Sequence, residues 1–305
     1  MGSFIVSARK YRPDTFDTVV GQQHITETLV NEITNDRLAQ AFLFCGPRGV
    51  GKTTCARILA KEINKGTVPE GYDYSFNIFE LDAASHNSVD DIRALNEQVR
   101  IPPQTGDYKV YIIDEVHMLS QAAFNAFLKT LEEPPKYAIF ILATTEKHKI
   151  LPTILSRCQV FNFDRITIPQ IVAHLKGIAA DEKIDAEEEA LHLIAQKADG
   201  AMRDALSIFD QMASFGTEGK ISYQEVIDNL NILDYDYFFK VVDTFLAGDI
   251  SAALVLFNEI LQKGFDGELF LHGLANHMRD LLVAQNASSQ QLLEKSKEIA
   301  GRYHK

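Results

Sequence analysis

Five short apolar runs, at residues 41–45, 77–81, 110–113, 138–143 and 160–163, are rich in β-branched and aromatic side chains. Runs of this length and composition predict strands buried on both faces, as in a parallel sheet. Between them, residues 53–63, 89–99 and 121–131 place apolar side chains every three or four positions, which predicts crossover helices. Ser88 followed by Asp91 marks the start of the second helix. Pro134-Pro135 ends the third, because the residue before a proline is driven out of the helical region. From residue 166 onward the periodicity is helical throughout. Residues 170–180, 186–198 and 201–215 predict three helices, with Pro169 in the first turn and Gly216 and Gly219 closing the third. Four or five further helical segments follow Ser222, including 235–246, 251–262 and 268–285, and they carry more apolar positions than one buried stripe needs. The expected organisation is an α/β domain over 1–165, a three-helix unit over 166–220 and an all-α domain over 221–305, with the first boundary between Asp164 and Pro169.

Composition narrows the class. At 305 residues and 46% apolar content the chain fills more than one hydrophobic core. No apolar run approaches the roughly 20 residues of a membrane helix, and the N-terminus carries no signal-type apolar segment, so a soluble, cytoplasmic protein is expected. The three cysteines, Cys45, Cys55 and Cys158, are odd in number and form no C-x-x-C pair, so they read as reduced thiols. The formal charge is −12, and residues 166–305 hold 12 basic against 22 acidic side chains. That balance argues against a free-standing DNA binder driven by bulk charge and leaves only local basic patches.

The strongest chemical signal is G-P-R-G-V-G-K-T, Gly46 to Thr53, between a predicted strand and a predicted helix. Glycines at 46, 49 and 51 let the backbone turn its N–H groups inward around phosphates, and the helix start adds its positive end. Gly46, Pro47, Arg48, Gly49, Val50, Gly51, Lys52, Thr53 and Thr54 are therefore candidate ATP/ADP-binding residues. Lys52 is expected to reach the β- and γ-phosphates, with the Thr53 hydroxyl on Mg²⁺. The strand at 110–113 ends in Asp114-Glu115, at the edge where α/β folds bind ligands. Asp114 is the candidate Mg²⁺ partner and Glu115 the candidate general base. His117 reads as a surface or outer-layer residue. If the strand at 138–143 neighbours that of Asp114, Thr145 is placed to sense the γ-phosphate or orient water.

Further motifs join these: S-A-R-K-Y-R-P from Ser7, V-V-G-Q from Val19, D-E-V-H-M-L-S from Asp114, F-N-A-F-L-K-T-L-E-E-P-P from Phe124 and L-S-R-C from Leu155. Together with the phosphate loop, they make the chain resemble the AAA+ clamp-loader family of bacterial DNA polymerase III, from Phe4 to about Gln211. The resemblance implies an AAA+ P-loop sheet, a three-helix lid and a C-terminal all-α, collar-like domain, of which residue 305 falls partway through. It implies Arg157 as an arginine finger acting on a neighbouring subunit's nucleotide, Arg203 as a γ-phosphate sensor in cis and Thr145 as the other sensor. Tyr11, Arg12, Pro13 and Val20, the last within the Val19–Gln22 segment, match the box around adenine. The implied function is a motor subunit that binds and hydrolyses ATP to load a sliding clamp onto primed DNA. Its implied partners are the other clamp-loader subunits, the clamp and primer-template DNA, in a hetero-oligomer that does not touch membrane. Ser85–Ser88, the helix bearing Asp90 and Arg93, and Lys147 and Lys149 are candidates for phosphate-backbone contacts.

One departure stands out: the family's four-cysteine zinc module is replaced by Asn64-Lys65-Gly66-Thr67-Val68-Pro69-Glu70-Gly71-Tyr72, so zinc is not expected. Two alternatives compete with the motor reading. A non-hydrolysing, stator-like subunit needs only Arg157, whereas here the whole Gly46–Thr53 loop and Asp114-Glu115 are intact. Another AAA+ motor, for branch migration or unfolding, calls for a winged helix or a substrate-gripping pore loop, and the acidic helical tail suggests neither. A polymerase site lacks a metal-binding carboxylate constellation beyond Asp114-Glu115.

Overall fold

Along β1 (Ala41–Cys45) successive side chains enter two different cores. Phe42 and Phe44 join one, while Ala41, Leu43 and Cys45 join the other. The same alternation runs along the two later strands beside it, so both faces of the sheet are apolar and the runs carry no polar alternation. The structure, a computed structural model, describes residues 5–215, 219–230 and 233–285. These divide into two units, residues 1–171 with 198–207, and residues 172–197 with 208–305.

In the first unit, α1 (Ser7–Lys10) and α2 (Gln23–Thr34) precede β1. There follow α3 (Lys52–Glu62), β2 (Ile78–Asp82), α4 (Val89–Val99), β3 (Lys109–Asp114), α5 (Gln121–Glu132), β4 (Ala138–Thr144), α6 (Pro152–Leu155) and β5 (Gln159–Asn162). The strands pair in the order β2-β3-β4-β1-β5, every pair parallel. Ile25 and Leu29 of α2 and Ile58 and Leu59 of α3 pack on one face. Ile92 and Leu95 of α4, Phe127 of α5 and Ile154 of α6 pack on the other. Ser88 and Asp91 form the reciprocal cap expected at the start of α4.

Short α1 and α6 and the pairing of two-residue strands at 185–186 and 220–221 were not expected, and two further departures have a plain cause. No element was predicted over residues 23–34, where α2 lies, because His24, Thr26, Glu27 and Thr28 dilute its apolar stripe. The second strand starts at Ile78 rather than at residue 77 because Asn77, 1% exposed, closes the turn before it, with φ −115° and ψ −21° and its N–H on Tyr74 O. Its side-chain amide donates to the carbonyls of Thr105 (2.8 Å) and Tyr108 (2.9 Å), and its oxygen accepts from Tyr72 Oη (2.7 Å). Buried Asn64 accepts from the Tyr108 N–H (3.0 Å). Two buried amides thus tie the 64–77 segment to the loop before β3, in the stretch where the resemblance leads one to look for a metal module.

In the remainder, α7 (Ile168–Glu182), α8 (Glu188–Lys197) and α9 (Met202–Phe215) stand where three helices were predicted. They are followed by α10 (Tyr223–Leu230), α11 (Tyr235–Ala247), α12 (Ile250–Gln262) and α13 (Gly267–Ala284). Two-residue strands β6 (Asp185–Ala186) and β7 (Lys220–Ile221) pair in parallel within the second unit. Phe238, Val241, Ile260 and Phe270 form a core among α11, α12 and α13. Gly216, expected to close the third helix, and residues 286–305 of the collar-like region lie outside the described residues.

All three cysteines are free thiols, Cys45 and Cys55 fully buried and Cys158 half-buried. Burial pushes Cys55 and Cys158 up to about 12, and raises Cys45. Only the thiolate attacks a disulfide reagent, and at pH 8 a thiol with a pKa of 12 is about one part in 10⁴ ionised, against roughly a quarter for an ordinary one. Cys55 and Cys158 of the native chain at pH 8 are therefore expected to react with an aromatic disulfide on the order of 10²- to 10³-fold more slowly than in denatured chain, and faster as pH rises, with Cys45 also slowed. Rapid native labelling of any one thiol, followed by absorbance and mapped by mass spectrometry, would contradict this burial.

Candidate active site

Lys52 opens α3 and is 6% exposed, so its amine must find acceptors inside the protein. It donates to the carbonyls of Gly46 (2.8 Å) and Pro47 (2.7 Å). Burial lowers its pKa, and the nearby carboxylates of Glu115 and Asp114 oppose that shift. The loop that curls back on the amine needs glycine where neighbours crowd it. Gly46 has φ +152°, and a Cβ there would lie 2.5 Å from the Phe163 carbonyl oxygen. A Cβ on Gly49, at φ +76°, would lie 3.1 Å from Ala201 Cβ and 3.3 Å from Arg203 Cβ. The loop therefore runs against the start of α9, and the Arg203 N–H faces Gly49 O at 3.4 Å, with the Arg203 side chain exposed.

In the first turn of α3, Thr53 Oγ1 donates to Asp114 Oδ2 (2.8 Å). A strand would send residues 114 and 115 to opposite faces. Glu115 instead has φ 47° and ψ 44°, a left-handed conformation that costs a non-glycine residue about 1–2 kcal/mol. Its N–H donates to Asp114 Oδ1 (3.0 Å), which holds the turn in place. Because β4 pairs with β3, the residue following β4 meets this turn. Thr145 donates to Glu115 Oε2 from both its N–H (3.2 Å) and its Oγ1 (3.0 Å). Of the two readings given for His117, the structure bears out the outer-layer one: its side chain is 6% exposed, with Nδ1 3.0 Å from Thr144 Oγ1 and 3.3 Å from Glu115 Oε2.

Lys52, Thr53, Asp114, Glu115 and Thr145 thus converge, with Arg203 beside the loop. Arg12 Nε donates to Thr54 Oγ1 (3.1 Å), and its pKa is lowered by burial first and by the charge of Arg57 second. Tyr11, Pro13 and Val20 are half-buried, Val50 is buried and Arg48 is exposed. Arg157 stands apart from this group. Its guanidinium donates to Thr153 O (2.7 Å) and to Glu132 Oε1 (2.8 Å). The other basic candidates are engaged locally: Arg93 with Asp90 (3.1 Å), Lys147 with Asn162 Oδ1 (3.0 Å) and Lys149 with Glu146 (2.7 Å).

Sequence reasoning missed Gln22, taken only as part of the adenine segment. It is 0% exposed; its amide donates to Asp164 O (2.8 Å) and Val50 O (3.4 Å), and its oxygen accepts from the Asp164 N–H (3.3 Å). One side chain so pins the phosphate loop to the exit of the sheet. Nothing local in V-V-G-Q signals bonds that span 142 residues of sequence.

A hydroxyl and a carboxylate already 2.8 Å apart form a hard-oxygen pair that suits Mg²⁺, and a desolvated amine held by two carbonyls suits a phosphate. A family model described as the DNA polymerase III delta subunit matches residues 21–167, and one described as the ATPase lid domain of the DNA polymerase III clamp loader subunit matches residues 170–218. The chain is 43% identical to DNA polymerase III subunit tau of Bacillus subtilis (strain 168), over 95% of this chain and 54% of that protein. It is 40% identical to DNA polymerase III subunit gamma of Buchnera aphidicola, over 85% of this chain and 73% of that protein. The chain belongs to the DNA polymerase III gamma/tau subunit family. It spans about half the length of the Bacillus subtilis tau subunit and of its Escherichia coli (strain K12) counterpart, to which it is 42% identical. Among solved structures, the RuvB Holliday junction branch migration motor of Thermotoga maritima superposes with a TM-score of 0.58 at 22% identity, over 77% of this chain and 79% of that one, a likeness of fold alone. The fold of this gamma/tau family member is the AAA+ parallel sheet with a lid and a C-terminal helical region.

Gln22→Ala in this family member removes the partner of the buried Val50 carbonyl and of the partly buried Asp164 N–H and carbonyl. It is expected to lower the unfolding free energy by about 1–3 kcal/mol in a urea titration, the cost of such groups. An unchanged midpoint would mean that water or a shifted loop replaces the amide.

Proposed function

We propose that this chain is an ATP-hydrolysing motor subunit of a clamp loader, which binds ATP with Mg²⁺ and turns it over to place a sliding clamp on primed DNA. The observation that carries this reading is the convergence of Lys52, the Thr53–Asp114 pair and the Thr145–Glu115 pair on one loop. Lys52 would exchange its two carbonyl acceptors for phosphate oxygens. Thr53 and Asp114 would hold Mg²⁺, which, when bound, neutralises charge on the transferred phosphoryl group. Glu115 would take a proton from the attacking water at its carboxylate, and Thr145 would fix the direction of that carboxylate. Arg203 would add charge from α9, and Arg12 with Tyr11, Pro13 and Val20 would enclose the base.

Arg157, held by Thr153 O and Glu132, takes part in none of these bonds, and we assign it to the nucleotide of a neighbouring subunit in a hetero-oligomer. The division into residues 1–165, 166–220 and 221–305, a cytoplasmic location, and contacts of Ser85–Ser88, Arg93, Lys147 and Lys149 with primer-template DNA belong to the same proposal. The intact Gly46–Thr53 loop favours a hydrolysing subunit over a stator-like one.

The test is ATP turnover per chain against concentration. Lys52→Ala should lose nucleotide binding. Arg157→Ala should bind nucleotide normally and lose assembly-dependent turnover by on the order of 10³-fold. A substantial rate that is independent of concentration and untouched by Arg157→Ala would refute the trans assignment.

A further inference from the structure

A general base acts only if its carboxylate is fixed in direction, and Glu115 sits on a strained turn with a flexible side chain. Two residues meet its Oε2. One is Thr145; the other is His117, whose Nδ1 lies 3.3 Å away. The His117 ring is nearly buried and is met at both nitrogens. Nδ1 also faces Thr144 Oγ1 (3.0 Å), and Nε2 faces Glu146 Oε1 at 3.3 Å. Glu146 is itself held: its N–H donates to Thr144 Oγ1 (3.0 Å), and its carboxylate takes Lys149 Nζ (2.7 Å) and stands 3.5 Å from His148 Nε2. A ring that only filled space would have no reason to meet a carboxylate at each nitrogen.

We propose that His117 is a positioning residue for Glu115, anchored from behind by Glu146, and that it sets the direction of the Glu115 carboxylate. This rests on reading Glu115 as the general base. A neutral imidazole carries one N–H. With the hydrogen on Nδ1, the ring donates toward Thr144 and Glu115, and Oε2 has a third donor. With the hydrogen on Nε2, the ring donates to Glu146, the Thr144 hydroxyl turns to donate to Nδ1, and Oε2 keeps only Thr145. The choice between the two nitrogens therefore changes how firmly Glu115 is held, with no backbone movement.

Two measurements test this on the full chain. With ¹⁵N-labelled histidine, the His117 ring signals, assigned by their loss in His117→Asn, should shift at Nδ1 in Glu115→Gln and at Nε2 in Glu146→Gln. An Nδ1 signal indifferent to Glu115→Gln overturns the proposal whatever the hydrolytic activity of the chain. In turnover with ATP and Mg²⁺, His117→Ala should lower kcat by about 10- to 100-fold, the cost of a misdirected group, with nucleotide affinity within about twofold of the parent. His117→Asn, which keeps a donor where Nδ1 stood, should recover part of that loss. Parental kcat in His117→Ala, or a loss matched by weaker nucleotide binding or a lowered melting temperature, overturns the positioning role. If Glu115→Gln turns over like the parent, the general-base reading is what fails, and the ring signals alone decide whether His117 holds that carboxylate.

Discussion

The Lys52 amine, taken out of water at the head of α3, is the constraint from which the site is built. An ammonium without acceptors in such a place would cost several kcal/mol, and deprotonation would follow. Gly46 and Pro47 supply two carbonyls, which requires the loop to curl back over its own helix. The curl brings Gly46 under the Phe163 carbonyl, where a side chain would clash, and holds Gly49 at φ +76° against Ala201, where one would be strained. Gln22 then binds Val50 and Asp164, tying the curled loop to the end of β5. A phosphate would not have to create this arrangement, only to replace two carbonyls already there.

Strand order does the remaining work. β1 delivers the loop, and β4 stands between β1 and β3, so the acids at the end of β3 and the threonines at the end of β4 emerge on one edge. The left-handed turn at Glu115 supplies what a strand cannot, two consecutive carboxylates on the same side. Its strain of about 1–2 kcal/mol is comparable to one or two good hydrogen bonds. The bonds from the Glu115 N–H to Asp114 and from Thr145 to Glu115 are of the number and kind to offset it.

These relations explain what the sequence could and could not say. The strands were legible because both sheet faces are apolar, so the runs stand out without any period. Lys52, Thr53, Asp114 and Glu115 were legible because their spacing is local to a strand end and a helix start. Thr145 was legible only on condition that its strand neighbours that of Asp114, which the pairing of β3 with β4 satisfies. Gln22 and Asn77 were not, since each is a polar side chain whose partners are set by the fold rather than by nearby residues, and only the fold decides between the surface and outer-layer readings of His117. Asn77 even looked like a strand residue, because nothing in the run 77–81 distinguishes an amide committed to Thr105 and Tyr108 from one facing solvent. The α2 stripe of Ile25 and Leu29 was hidden for the opposite reason: its apolar positions are few, although both are fully buried.

Lys52 and Arg157 show how differently two cations can be held. The Arg157–Glu132 pair is about a third to a half exposed on each side, and such pairs are worth about 0–1 kcal/mol. Its guanidinium has five N–H groups and can leave Glu132 for a stronger acceptor at small cost. Lys52 has no such freedom, since its buried amine can only pass from one set of acceptors to another. A group meant to act on its own chain's ligand gains from being fixed in advance, whereas one meant for a ligand on another subunit must reach the surface and be released there. The burial of the one and the exposed, exchangeable pairing of the other are what the proposed site, completed between subunits, would require.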